Sequence, residues 1–231
     1  MIMRNLILVA LLFLTPAAAV AETVYIEADR DATLVQHPDG ALANGSGPYF
    51  FVGRTSQGQN STRRALLRFD VAAAIPQRAI IESVALTLFM NQSNPELRML
   101  RLHRVLADWG EGASAASGGG GRPSEPGDAT WIHTFHDVEF WIHGGGQFVG
   151  RDSAGLEVAG SAIYTWESTN HLIQDVRLWN MAPQRNFGWI LIGDETAPTT
   201  AKSFASREHP DPGLRPVLEV TYRSPGKPGD L

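Results

Sequence analysis

The sequence predicts an all-β protein, a β-sandwich or jelly roll, and three observations carry that expectation. Apolar and polar residues alternate at period two over short runs, clusters of Gly, Pro, Asn and Asp separate the runs, and a single stretch shows helical spacing instead. Alternation marks a strand with one buried face, because successive side chains of a strand point to opposite sides. Many short strands divided by turn residues suit two stacked sheets.

The first element is a leader. Arg4 precedes an apolar stretch from Leu6 to Leu14, and Ala19-Val20-Ala21 has the small-x-small form cleaved by signal peptidase. Residues 1–21 are therefore predicted to be a secretory signal peptide, and the protein to be secreted, extracellular or periplasmic. The apolar stretch is shorter than the roughly 20 residues a membrane helix needs, and no later segment qualifies as a span. Residues 22–223 are predicted to form one sandwich domain, and 224–231 a disordered tail.

Within the domain the first strands are TVYIE from Thr23, ATLVQ from Ala32, YFFVG from Tyr49 and ALLRFDV from Ala65. The clearest alternation follows: Val84, Leu86, Leu88 and Met90 point one way while Ser83, Ala85, Thr87 and Asn91 point the other, with Phe89 breaking the polar face. MLRLHRV from Met99 closes the first half. Residues 111–127, EGASAASGGGGRPSEPG, are too poor in large apolar side chains to order themselves and are predicted to be a long glycine-rich loop. In residues 170–181 Leu172, Ile173, Val176 and Trp179 fall at helical spacing, which predicts a short helix lidding one end of the sandwich. GWILIG from Gly188, KSFAS from Lys202 and VLEVTY from Val217 are the last strands.

Composition restricts the function classes. The chain has 24 acidic and 19 basic residues; loss of the leader removes only Arg4, moving the net charge from −5 to −6. That argues against nucleic acid as a partner, since phosphates need a basic face. With no cysteine, no disulfide framework holds an exported chain together, so a buried core must do so.

The charged residues at strand ends are the candidate site. In SFASREHPDPGLRP, the run of Pro210, Asp211, Pro212 and Gly213 forces a turn, which places Arg207, Glu208 and His209 at a rim of the sandwich. In LLRFD, Leu67 and Phe69 share one face and Leu66, Arg68 and Asp70 the other. Two readings compete. Arg68 pairs internally with Asp70 or Glu208, or else Arg63, Arg64, Arg68, Arg101 and Arg207, with Glu208, present a cationic groove to sugar carboxylates, which a guanidinium fork matches bidentately.

Aromatic and acidic residues add further candidates. Trp131, Trp141 and Trp166 lie near loops or strand ends and could stack on a pyranose, whereas Trp109, Trp179 and Trp189 are expected in the core. Asp29 and Asp31 are candidate ligands of a structural Ca²⁺, although two acids at this spacing also occur in ordinary turns. His133, His136, Asp137 and His143 match no strong zinc spacing. Enzyme motifs are missing: there is no G-x-S-x-G, no H-E-x-x-H and no phosphate loop. Asp108 with Glu111 is an acid pair of the sort any acidic chain contains, and His103 beside Arg101 is the best anchor for an eliminative lyase.

Seven strings occur in one order: DATLVQ at Asp31, STRRALLRFDV at Ser61, SVALTLFM at Ser83, LHRVLADWGEG at Leu102, GDATW at Gly127, NFGWILIGDE at Asn186, and FASRE followed by RPVLEVTY. In this the chain resembles the DNRLRE-domain family over about residues 23–222. The resemblance implies a secreted jelly-roll domain of the kind appended to polysaccharide-active enzymes, some related modules binding acidic polysaccharides such as alginate. No catalytic segment accompanies the domain in this sequence, a departure from that pattern, so the protein is expected to act alone or with a separately encoded polysaccharide-active enzyme. The leading expectation is thus a secreted non-catalytic carbohydrate-binding module for an acidic, uronic polysaccharide that requires no cofactor. A structural or adhesive surface spacer is the alternative, and a small polysaccharide lyase the third.

Overall fold

In the computed structural model the described residues are 20–224. The expected signal peptide, apart from Val20 and Ala21, and the expected tail beyond Ser224 lie outside them. Fifteen strands and two α-helices follow in the order β1 (Ala21–Glu27), β2 (Arg30–Val35), β3 (Leu42–Asn44), β4 (Tyr49–Arg54), β5 (Thr62–Arg68), α1 (Val71–Ala74), β6 (Ile80–Ser93) and β7 (Arg98–Arg104). Then come β8 (Arg122–Pro123), β9 (His133–Phe135), β10 (Glu139–Phe140), β11 (Ala154–Val158), β12 (Ala162–Trp166), α2 (Asn170–Met181), β13 (Trp189–Ile192), β14 (Lys202–Ala205) and β15 (Val217–Arg223). Every pairing is antiparallel. The all-β sandwich is as the alternation predicts.

One layer is centred on β6, with β12 on one edge and β14 and β15 end to end on the other; β1 lies outside β15 and β4 outside β14. The second layer runs β11, β7, β13, β5, β2, β3, β8. Connections pass repeatedly from one layer to the other, the wrapped path of a jelly roll. The layers join at β4, whose residues 49–52 pair with β14 while Gly53 and Arg54 pair with β5. Gly53 makes that corner at φ 97°, and a β carbon there would meet the Thr200 carbonyl oxygen at 2.8 Å.

Between the layers lies the main core. Val84, Leu86, Leu88 and Met90 of β6, with Leu218 and Val220 of β15, face Leu67, Leu100, Leu102, Trp189 and Leu191 of the second layer. Helix α2, capped by the Thr169 hydroxyl accepting from the Leu172 N–H, puts Leu172, Val176 and Trp179 into this core, and the Trp179 ring meets Trp189 edge-on at 4.4 Å. Asp175 shares that buried helix face. Its carboxylate takes Arg104 at 2.9 Å, the Ser153 hydroxyl at 2.6 Å and the Trp189 indole N–H at 2.9 Å. Among the described residues no helix is long and apolar enough to cross a membrane.

A second apolar cluster forms on the other side of the second layer. Ala32, Leu34, Leu66 and Ile190 point outward from it, and the chain from Val105 onward folds over them with Trp109, Ala129 and Trp141. The glycine-rich run belongs to this cover. Residues 111–127 are ordered by hydrogen bonds: the Ser114 carbonyl accepts from Gly45 and Ser46, the Ala116 N–H donates to Asn44 Oδ1 at 2.8 Å, and β8 pairs with β3. Glycine flexibility governs a run only where nothing else claims its backbone groups. Asn44, which heads an N-x-S string, uses both amide atoms here, the other donating to the Tyr49 carbonyl.

Gly53→Ala is expected to cost about 2 kcal/mol of unfolding free energy, because it combines a strained φ with a backbone collision at the layer crossing. Urea unfolding followed by tryptophan fluorescence checks this; an unchanged midpoint would mean the corner is not constrained.

Candidate functional site

The expected arginine groove is taken apart by the pairings of its members. Arg68 forms a bidentate pair with Asp29, Nε donating to Oδ1 at 3.2 Å and Nη2 to Oδ2. Neither expected partner is available, since Asp70 caps α1 by accepting from the Ala73 N–H and Glu208 sits against Arg207. Asp29 reaches Arg68 because it occupies the crossing between β1 and β2, where its own N–H bonds the Arg68 carbonyl at 3.0 Å.

Arg63 is 0% exposed, which removes it from any ligand-facing surface. Its guanidinium donates to the Gly119 carbonyl, to the carbonyls of Asn60 and Thr62 at 2.7 Å, and to Gln57 Oε1 at 2.9 Å. Burial lowers its pKa to about 10. Arg64 clamps Glu195 at 2.7 and 2.9 Å, donates to the Gly145 carbonyl and lies 5.0 Å over the Trp131 ring. Arg101, with its side chain 51% exposed, stands 3.6 Å from Asp152.

The remaining sequence candidates also move. Trp166 is fully buried in the main core and Trp141 in the second cluster, its indole N–H bonded to the Thr130 carbonyl at 2.9 Å. Trp131 is half-buried with Arg64 over one ring face, so two of the three expected sugar platforms are closed and the third is already partnered by a cation. His103 does lie on the Arg101 face of β7, yet it is buried against Phe148 with Nδ1 at 3.1 Å from the Val149 carbonyl. That burial leaves it little of the access to substrate that a base needs.

Asp29 and Asp31 do not converge, because Asp29 is held by Arg68 while Asp31 turns inward, so the expected Ca²⁺ pair is not a shared site. Among the described residues no group of three or more His, Cys, Asp and Glu is arranged to hold a metal. Asp108 bonds Arg30 at 3.2 Å, while Glu111 is taken by the Asp31 N–H and Arg207.

What the chain does assemble is a carboxylate cluster around Arg207. β14 stops at Ala205 and β15 resumes at Val217 along the same edge of β6, so residues 206–216 are an excursion within one interrupted strand. The excursion brings the Arg207 guanidinium to Glu111 at 3.3 Å and Glu208 at 2.5 Å, while the Arg207 N–H donates to Asp31 Oδ2 at 2.6 Å. Glu111 in turn accepts the Asp31 N–H at 2.8 Å.

Burial sets the titration of this cluster. It holds the 1% exposed Asp31 carboxyl well above the usual range, opposed by the Arg207 N–H, and pushes Glu111 up to about 7, opposed by the Asp31 N–H and the Arg207 charge. For Arg207 burial works against the charge, but Glu111 and Glu208 outweigh it and its pKa is raised.

Three ion-pair partners are not legible in the sequence as pairs: Glu111 for Arg207, Glu195 for Arg64 and Asp175 for Arg104. For Asp175 a signal existed, since it lies three residues after Leu172 and four before Trp179, on the apolar face of the helix. The other two partners are joined only through tertiary contacts.

No protein-family model matches the chain, and no curated protein matches it. Fold and geometry together define an all-β sandwich in which Arg63, Arg64, Arg68 and Arg207 are committed to carboxylates and carbonyls.

The raised Glu111 pKa gives a sign for pH. An acid bound more tightly to its proton in the folded state contributes stability that is fully present below its unfolded value of about 4.5 and is lost as pH rises through about 7. The stability advantage of wild type over Glu111→Gln is expected to fall by up to about 3 kcal/mol across that interval. Chemical denaturation of both proteins at several pH values reads it. His133, whose pKa burial lowers, acts in the opposite direction in both and cancels in the difference.

Proposed function

We propose that the protein is a secreted, non-catalytic β-sandwich with a structural or adhesive role, whose basic residues serve the fold. One observation carries this reading: Arg68 and Arg207, the arginines expected to head a glycan groove, face Asp29 and the Glu111 and Glu208 carboxylates instead. A uronate would have to displace a carboxylate already seated in each guanidinium fork, exchanging one ion pair for another with little gain. The small-x-small site before Glu22 and the resemblance to the DNRLRE-domain family support export.

Acidic-polysaccharide binding is the second reading, and one observation favours it. Arg101 is half exposed beside a cleft of about 510 Å³ that Arg98 also lines, although Asp194 and Glu195 line it too.

Arg68→Ala and Arg207→Ala are expected to lower the melting temperature by several degrees, since each leaves partly buried carboxylates without their partner. Migration through alginate-containing gels should be the same for both variants and wild type. Wild-type retardation in alginate that either substitution abolishes, at unchanged melting temperature, would reverse the assignment.

A further inference from the structure

Two exposed apolar patches on the molecule are bordered by opposite charge. Val138, Phe140 and Ile142 are 73%, 65% and 69% exposed, so three large apolar side chains within five residues stand in water. They ride on the β9–β10 hairpin, whose base is fixed: Trp141 is buried in the second cluster, the Val138 N–H donates to the Phe135 carbonyl at 3.0 Å, and the Phe140 ring lies 4.4 Å from that of His133. Asp137 and Glu139 are exposed on the same hairpin, and neither forms an ion pair among the described residues. The hairpin is a pre-formed apolar knob with an acidic collar.

The complementary patch is a cleft of about 550 Å³ at the start of β6, lined by Arg78, Ala79, Ile80, Arg177 and Met181. It exists because β12 stops at Trp166, opposite Leu86, and leaves the earlier part of β6 to helix α2. There the Arg177 guanidinium takes the place of a strand, donating to the Ile81 carbonyl at 2.8 Å. Ile80 and Met181 remain exposed in the cleft, and the arginine stems add apolar surface to theirs.

Neither guanidinium at this cleft has a carboxylate. Arg78 and Arg177 form no ion pair among the described residues, and Glu82, the acid two residues beyond Ile80 on β6, is held by Arg223. Arg177 spends one N–H on Ile81 and keeps the rest of its donors. Arg78 sits at φ 65°, in a turn closed by the Ala79 N–H donating to the Pro76 carbonyl at 3.1 Å. Glycine would take that conformation at less cost, so the chain carries a strained residue where it sets a cation beside the cleft.

We propose that these surfaces are the two halves of one contact between copies of this chain, the hairpin of one copy seated in the cleft of the next, with Phe140 against Ile80 and Met181 and with Asp137 and Glu139 facing Arg78 and Arg177. Within a single chain the halves stay apart, because the cleft belongs to the first layer and α2 whereas the hairpin is part of the cover outside the second layer. Like charges oppose hairpin on hairpin and cleft on cleft, so the contact is head-to-tail and not a two-fold dimer. Such a contact repeats from copy to copy and yields a ring or a filament. The proposal rests on the structural or adhesive reading above and gives it a partner, a second copy of the same chain.

Sedimentation velocity of the full chain over a range of concentrations tests it. Wild type is expected to grow beyond two copies as concentration rises and to fall back towards monomer in high salt. Phe140→Ser in the hairpin and Arg78→Asp in the cleft should each be monomeric with the melting temperature of wild type, since both side chains are exposed. Glu139→Lys, which leaves the His133 stack in place, is a second hairpin variant with the same expected result. Each variant keeps one intact half, so an equimolar mixture of a hairpin variant and the cleft variant should form a dimer and stop there. A wild type that stays monomeric, an assembly that ends at two copies, assembly indifferent to the substitutions, or a mixture that stays monomeric overturns the proposal. So does capture by anionic vesicles in place of self-association, which would assign the cleft to lipid. Failure of the structural reading shows instead as alginate retardation that Arg68→Ala or Arg207→Ala abolishes, so the two failures are told apart.

Discussion

Leu34, Leu66 and Ile190 face away from the main core, and much of the molecule is arranged by the need to keep them dry. A sheet with apolar residues on both faces requires a cover on each. The second layer has β6 and its neighbours on one side and the chain around Trp109 and Trp141 on the other. That cover has little regular structure, so its backbone is satisfied by bonds to loop neighbours, as between Gly45 and Ser114 or Gly110 and Thr134. Arg63, Arg64 and Glu111 owe their surroundings to it: the first bonds Gly119, the second lies over Trp131, and the third is brought to Asp31.

Electrostatics follows from this packing. In a chain with an excess of acid, arginines brought near partly buried carboxylates are better placed in pairs than left to solvent. Arg64, Arg68, Arg104 and Arg207 each hold a carboxylate, and Arg63 uses backbone carbonyls to the same end. The protein therefore has little unspent positive charge in the region where the sequence suggests most of it.

The fold was legible because its signal is local. Alternation in residues 84–90 specifies which face of β6 is buried without reference to any other segment, and the helical spacing of Leu172, Val176 and Trp179 locates α2 at Asn170–Met181 in the same way. The site was less legible, because ion pairs are made across the chain. Arg68 and Asp29 are 39 residues apart, Arg64 and Glu195 131. Leu66 was seen to oppose Leu67, but not that its side would also be dry. The anchoring of the glycine-rich run was not legible for a related reason: composition describes what the segment does alone, and Asn44 and Arg63 decide what it does in place.

The pairing of β1 with β15 bears on how the molecule is made. β15 lies between β1 and β6, so the first strand has no neighbour in its layer until residues 217–223 have left the ribosome. A chain built in this order closes late, with contacts spanning nearly its whole length, the topology that folds slowly and depends least on local turns. During synthesis Ala21–Glu27 waits as an unmatched ribbon, and a chaperone that shields such ribbons would act on this segment first.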